Sequence, residues 1–196
     1  MSTPMQRALG ADWAKLPPAL QAHYAGNQDS GVAADHGRMD IEYPKFMQPY
    51  LNLLRLCGAL VNRSGRQVAT VVNKRVAAER QYWRRTLTFA DGKTIRFDSV
   101  WVNAGGNELI EFVNPFLGLQ MAVHVREGRL YYHGVKFVVK LGPLHLPIPE
   151  WLVLGHTTIV ETGLDDRRFA MDFRLTHPLF KQVYRYAGEF VVAEGG

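Results

Sequence analysis

The sequence lacks the residues from which most metal and cofactor sites are built. Cys57 is the only cysteine among 196 residues, so the chain can form no internal disulfide and no paired-cysteine zinc site. The seven histidines show neither His-x-His nor His-Glu-x-x-His spacing, and we expect no metal centre. There is also no Gly-x-Gly-x-x-Gly loop, P-loop or Gly-x-Ser-x-Gly motif, so we expect no cofactor.

Long uninterrupted apolar runs are absent as well. The most apolar segment, residues 135–154, contains two lysines, a histidine, a glutamate and three prolines, which argues against a membrane span. The first ten residues show no apolar stretch after a basic start, so a secretory signal is not expected. A cytoplasmic protein is the expectation.

The charge is basic but dispersed. The formal net charge is +5 and the isoelectric point is about 9.4, yet the Lys and Arg residues are scattered among predicted strands and turns. Nucleic-acid binding needs basic residues beside exposed aromatic rings. Here most aromatics alternate into the apolar face of predicted strands, so we expect no nucleic-acid partner.

What is present predicts one domain, with a helical N-terminal part at residues 1–65 and an antiparallel β meander at residues 66–196. A 47% hydrophobic fraction in 196 residues allows one sizeable core. Apolar residues recur at helical spacing over 5–25, where Pro17-Pro18 divides the run into two helices. Residues 44–60 predict the longest helix.

Between these helices, residues 26–38 read as a polar loop and 38–43 as a possible short strand. After Gly65 the apolar period changes from about 3.6 to 2, which indicates strands. Nine are predicted, at residues 67–77, 80–90, 94–103, 108–113, 118–126, 130–141, 152–161, 168–176 and 183–192. Because a flat meander of this length would leave two long edges, we expect a mainly β (α+β) fold curled into a barrel-like or lipocalin-like sheet, with two N-terminal helices packed on it.

One long segment, residues 142–151, is predicted to be irregular. It contains three prolines, which keep it extended, and its apolar side chains Leu144, Leu146, Ile148 and Trp151 are unusual for a solvated loop. It could lie over the barrel mouth as a lid, touch a membrane or protein partner, or be pinned to the core by its own side chains.

Polar residues that alternate into an apolar face are the candidate site residues. In the strand at 80–90, Arg85 lies on the face of Trp83, Leu87 and Phe89. A buried guanidinium keeps its charge and requires partners. Inside a barrel, Arg85 can meet four further polar residues: Ser99, Glu111, Glu161 and Tyr186. Trp101 lies on the same strand face as Ser99.

This interior cluster has three interpretations. It can be a salt-bridge network that fixes strand register. It can bind a hydrophobic or lipid-like small molecule, with Arg85 meeting an anionic group of the ligand. It can belong to an enzyme (an isomerase, cyclase or hydrolase) that uses Glu111 or Glu161 with Arg85. We prefer binding to catalysis. A separate alternative is an interaction module that docks through residues 143–151, and the oligomeric state stays open.

Short motifs along nearly the whole chain resemble a known family. They are Leu-Pro-Pro-Ala-Leu-Gln-Ala-His at 16–23, Trp-Arg-Arg at 83–85, Glu111 before an Asn-Pro turn, Gly-Arg-Leu at 128–130, Leu-Pro-Ile-Pro at 146–149 and Tyr-Ala-Gly at 186–188. Together they resemble the bacterial family called domain of unknown function 4166. Members are sometimes joined to saccharopine-dehydrogenase-like reductases or to membrane proteins, which implies that a lipid, a fused reductase or a peripheral membrane contact is a possible partner.

The family pattern falls on three of the candidate site residues. Its Trp-x-Arg strand falls on Trp83 and Arg85, and its glutamate before a turn falls on Glu111. Asn114 stands where the family pattern has glycine.

Overall fold

The structure is a computed structural model that describes residues 2–25 and 33–192. Its helices are α1 (Pro4–Leu9), α2 (Pro18–Ala25), α3 (Gln48–Leu56) and α4 (Glu150–Val153), with 3-10 turns at Gly10–Lys15 and Lys45–Met47. Its strands are β1 (Ala33–Glu42), β2 (Gly65–Ala77), β3 (Arg80–Thr88), β4 (Thr94–Gly105), β5 (Glu108–Phe112), β6 (Leu117–Arg126), β7 (Arg129–Leu141), β8 (Leu144–Ile148), β9 (His156–Gly163), β10 (Arg168–His177) and β11 (Lys181–Val192).

Ten of these strands close into an antiparallel barrel, and β8 lies outside it. The sequence correctly predicted the curled antiparallel sheet, although with nine strands. The strands β1 to β7 pair in chain order, β7 then pairs with β9, and β11 returns to pair with β1. The strand β7 changes partner along one edge: Arg129–His133 pair with β9, and Phe137–Leu141 pair with β8. The fold is therefore a meander with one hairpin added to its outside.

Alternating side chains fill the barrel. On β3, Gln81, Trp83 and Leu87 are buried, whereas Arg80, Arg84 and Thr88 are exposed. The same period of two is seen on β9, where Thr157, Ile159 and Glu161 are buried. This pattern follows from strand geometry, because successive side chains point to opposite faces. The core is one cluster inside the barrel.

Different helices cover the two ends of the barrel. The segment α1–α2 covers the end where β2 turns into β3, and Arg7 contacts Glu79 in that turn. We call the barrel end covered by α1–α2 the plugged end. At the other end, which we call the α3 end, α3 and the chain after it are held by Tyr184, whose hydroxyl donates to the Val61 carbonyl at 2.9 Å, and by Gln48, whose amide donates to the Asn62 carbonyl at 2.8 Å.

The helices agree in outline with the sequence prediction. The break at Pro17-Pro18 is confirmed, because α2 starts at Pro18 after a 3-10 turn. Of the described helices α3 is the longest, although it is shorter than residues 44–60. Most of the polar loop predicted at 26–38 lies outside the described residues. No helix in the described parts of the chain is long and apolar enough to cross a membrane.

The structure corrects two predictions about strands. The possible short strand at 38–43 is part of a longer one, because β1 runs over ten residues from Ala33 to Glu42; it forms a complete strand of the barrel within the part predicted to be helical. Its inward positions include Asp35 and Gly37, which hid the apolar alternation. The segment at 142–151 is also not irregular, because β8 pairs with β7 and a helical turn follows. Pro147 is tolerated there because β8 is an edge strand.

Candidate functional site

The barrel encloses a cavity of about 110 Å³. Most of its wall is aromatic and aliphatic, and its polar atoms come from few residues. Arg85, Glu111 and Glu161 line it together with His23 and Tyr24 of α2. An apolar cavity with a small number of convergent polar groups is the usual form of a small-molecule site.

Three of the predicted site residues form one contact. Arg85 donates to Ser99 Oγ at 2.8 Å and to Glu111 Oε1 at 3.0 Å, and Ser99 donates to the same carboxylate oxygen at 2.6 Å. The guanidinium also lies 5.1 Å from the Phe97 ring centre and 5.5 Å from that of Trp83. Glu111 therefore balances the charge of Arg85 inside the barrel.

The carboxyl group of Glu161 belongs to a second contact. Both of its oxygens lie 2.7 Å from the Tyr24 hydroxyl, which in turn accepts a hydrogen bond from Tyr132. Burial raises the pKa of Glu161, whereas the Tyr24 hydroxyl and the Lys74 and Arg85 charges lower it. The effect of burial is the largest, and the resulting pKa is about 7. Glu161 can therefore hold or release a proton near neutral pH.

A third contact links α2 to β1 and β2. The ammonium group of Lys74, which is 0% exposed, donates to both Asp35 oxygens at 2.7 Å and to the His23 carbonyl at 2.9 Å. The His23 ring contacts the same carboxylate. Burial and the neighbouring Lys74 charge together lower the pKa of His23 to about 4, although Asp35 partly offsets them, so the ring is neutral. Its Nδ1 then donates to Asp35.

Of the predicted site residues, the structure brings Trp83, Arg85, Ser99, Trp101 and Glu111 together, with the Trp83 and Trp101 ring centres 5.2 Å apart. Glu161 and Tyr186 line the same cavity. Burial raises the pKa of Tyr186 above its usual value, and the neighbouring Arg85 partly offsets this rise. The indole nitrogens of Trp83 and Trp101 are buried and have no hydrogen-bond partner among the described residues.

Five residues of the site were missed by the sequence analysis: His23, Tyr24, Asp35, Lys74 and Tyr132. Lys74 carries the signal that identified Arg85, because it shares a strand face with Val68, Thr70 and Val72. His23 and Tyr24 gave no such signal, since the sequence of a helix does not show which part of the protein the end of that helix packs into.

The predicted lid or interaction segment lies outside this site. Leu144, Leu146 and Trp151 are exposed, and Ile148 packs against the core. None of these four side chains lines the cavity. The segment extends the α3 end of the barrel beside β7 instead of covering its mouth.

Comparisons with known proteins identify the family. Searches of curated proteins and of solved structures gave no significant match. The sequence model described as "Domain of unknown function (DUF4166)" matches residues 16–190, which include α2, all of β1 to β10, most of β11 and every residue of the cavity named above. The chain therefore belongs to the DUF4166 family.

Proposed function

We propose that the barrel binds a small, mostly apolar and uncharged molecule in its central cavity. The observation that carries this proposal is the cavity of about 110 Å³ with Arg85 and Glu111 on its wall, their side chains 16% and 14% exposed inside a closed barrel. A barrel packed solely for stability would fill this space, because protein interiors contain few voids larger than a water molecule.

The volume limits the size of the ligand. An engineered apolar cavity of roughly 150 Å³ binds one benzene molecule, so a cavity of about 110 Å³ fits a ligand of about one ring. A long acyl chain would require the surrounding aromatic side chains to move. Among the hydrophobic ligands considered from the sequence, a compact one therefore fits better than an extended lipid.

The charge pattern limits the polar group of the ligand. Arg85 is already paired with Glu111 at 3.0 Å, so an anionic ligand would have to displace this carboxylate and leave it buried without its partner. A neutral hydroxyl or carbonyl oxygen can instead accept from a remaining N–H of Arg85, which has five donors. The anionic group predicted from the sequence is accordingly replaced in this proposal by a neutral acceptor.

A matched pair of probes tests both points. We expect benzyl alcohol to raise the melting temperature of the protein and benzoate to have little effect, since the two differ mainly in charge. At a ligand concentration of 100 Kd the stabilisation is about 2.7 kcal/mol. Native mass spectrometry of gently purified protein should also show an added mass below that of a phospholipid.

Two variants locate the binding. Leu119→Trp places a bulky indole ring in the cavity wall and should abolish the rise in melting temperature, whereas Val135→Trp on the outer face of β7 should preserve it. The proposal fails if benzyl alcohol does not bind and the native mass is that of the bare chain, or if benzoate stabilises the protein as much as benzyl alcohol does. It also fails if Leu119→Trp binds as well as the unmodified protein.

A second candidate function is acid–base catalysis at Glu161. The specific observation is a carboxyl group that lines the cavity and has a pKa of about 7, which suits a general acid or base at neutral pH. Arg85 and Glu111 would then orient the substrate. A ligand identified by the binding experiment should be consumed by the unmodified protein and not by Glu161→Gln; turnover by both proteins would exclude this role.

A further inference from the structure

The exposed apolar side chains are concentrated at one end of the molecule. Of the fourteen large hydrophobic side chains that are exposed in the described residues, all but Val135, Leu164 and Val191 lie at the α3 end. We call this surface the apolar rim and represent it by six of its side chains: Phe46, Leu56, Phe116, Leu144, Trp151 and Phe180. Single exposed apolar residues are ordinary, but a concentration of this kind marks an interaction surface.

Direct contacts join the segments of the rim. The rings of Phe46 and Phe180 lie 5.6 Å apart, and the Tyr50 hydroxyl of α3 donates to the Val153 carbonyl of α4 at 3.2 Å. At the far end of α3 the Asn114 amide donates to the Cys57 carbonyl at 2.6 Å. The Lys140 amide donates to the Phe116 carbonyl at 2.7 Å. The rim is therefore one continuous surface, although its residues come from distant parts of the chain.

The charges within the rim have one sign. Its segments are residues 45–60, 113–117, 138–154 and 177–182, and their only carboxylate is Glu150, which is buried against His156 and the Thr157 amide. Basic residues stand directly beside apolar tips in four places: Lys45 before Phe46, Arg55 before Leu56, Lys140 before Leu141 and Lys181 after Phe180. Among the described residues, none of the three lysines has a carboxylate partner.

We propose that the apolar rim docks on an anionic phospholipid surface. Apolar tips would enter the boundary between headgroups and acyl chains, while the adjacent Lys and Arg ammonium and guanidinium groups meet lipid phosphates. Trp151 is suited to this boundary because its indole has an apolar body and a polar N–H. The proposal is independent of the cavity ligand.

Vesicle flotation tests the docking directly. We expect the protein to float with vesicles of phosphatidylcholine and phosphatidylserine at physiological salt, to stay unbound with pure phosphatidylcholine, and to be released at high salt. Each removed lysine charge should weaken binding about fivefold, so Lys45→Gln with Lys181→Gln should weaken it about 25-fold. Leu56→Ser with Trp151→Ser should weaken it at least tenfold, because less apolar surface enters the bilayer.

Matched changes at the plugged end separate this result from a general effect of charge or hydrophobicity. Leu164→Ser and Arg126→Gln remove an exposed leucine and an exposed arginine there and should leave flotation unchanged. The proposal is overturned if the unmodified protein does not float with anionic vesicles, or if the plugged-end variants weaken flotation as much as the rim variants. It is also overturned if sedimentation shows that the rim variants break a dimer while flotation persists.

Discussion

Replacing Lys74 with methionine is expected to lower the free energy of unfolding by about 3–5 kcal/mol, because it leaves a buried carboxylate without its cation. Asp35 and Lys74 both have fully buried side chains, so water cannot replace the lost ammonium group. The variant also removes the hydrogen bond to the His23 carbonyl, which ties α2 to the barrel. Urea unfolding followed by tryptophan fluorescence measures the loss.

A double variant separates the lost charge balance from the lost packing. Lys74→Met with Asp35→Leu replaces both charges by apolar groups and should recover most of the stability, because no unpaired carboxylate remains. Arg84→Met on the neighbouring strand is the surface control, since its side chain is 61% exposed, and should change stability by less than about 1 kcal/mol. A loss of less than 1 kcal/mol in Lys74→Met would contradict the structural role of this contact.

The second large effect expected is a pair of opposite pH dependences. The pKa of Glu161 is raised from 4.5 to about 7 in the folded protein, so between these values the unfolded chain binds fewer protons and stability falls as pH rises. The pKa of His23 is lowered from 6.5 to about 4, so between these values the unfolded chain binds more protons and stability falls as pH falls. The two contributions oppose each other between about pH 4.5 and 6.5.

Single variants should reveal each contribution. Relative to the unmodified protein, Glu161→Gln should gain about 3 kcal/mol between pH 4.5 and 7, since each pKa unit corresponds to about 1.4 kcal/mol. His23→Gln should show the reverse slope and gain stability relative to the unmodified protein between pH 6.5 and 4. Taking differences between unfolding free energies at each pH cancels the other carboxylates. A flat difference for Glu161→Gln would mean that its pKa is not raised.

The barrel could be predicted from the sequence because apolar and polar residues alternate along its strands. Trp83, Arg85 and Leu87 share a face in any strand that includes them, and the meander then places Ser99 and Glu111 nearby. The same reading applied to Lys74 would have added it to the interior. Asp35 was missed for a different reason: an inward aspartate and an inward glycine interrupt the apolar pattern of β1, and only pairing with β2 and β11 makes that segment a strand.

Other features depend on the tertiary structure alone. Prolines at 143, 147 and 149 remove backbone hydrogen-bond donors, which predicted an irregular segment. Part of this segment nevertheless forms β8, because β7 offers a free edge with which it pairs. The position of Tyr24 against Glu161, 137 residues away in the chain, arises from the angle at which α2 enters the barrel. In the sequence, only the apolar side chains of residues 142–151 indicated the apolar rim. Its other segments join them only when the sheet closes.

The pairing of β1 with β11 also sets the order in which the molecule can be completed. Asp35 lies opposite Val192, and Glu42 opposite Arg185, so the seam that closes the ring joins strands from the two ends of the described chain. Strand pairing across such a long sequence separation is slow, because closing the intervening chain into a loop costs entropy. During synthesis His23, Asp35 and Lys74 emerge early, but the cylinder that shields them from water is finished only when the final strand arrives. A nascent chain that lacks β11 is therefore an open sheet with two free edges, and not a smaller barrel.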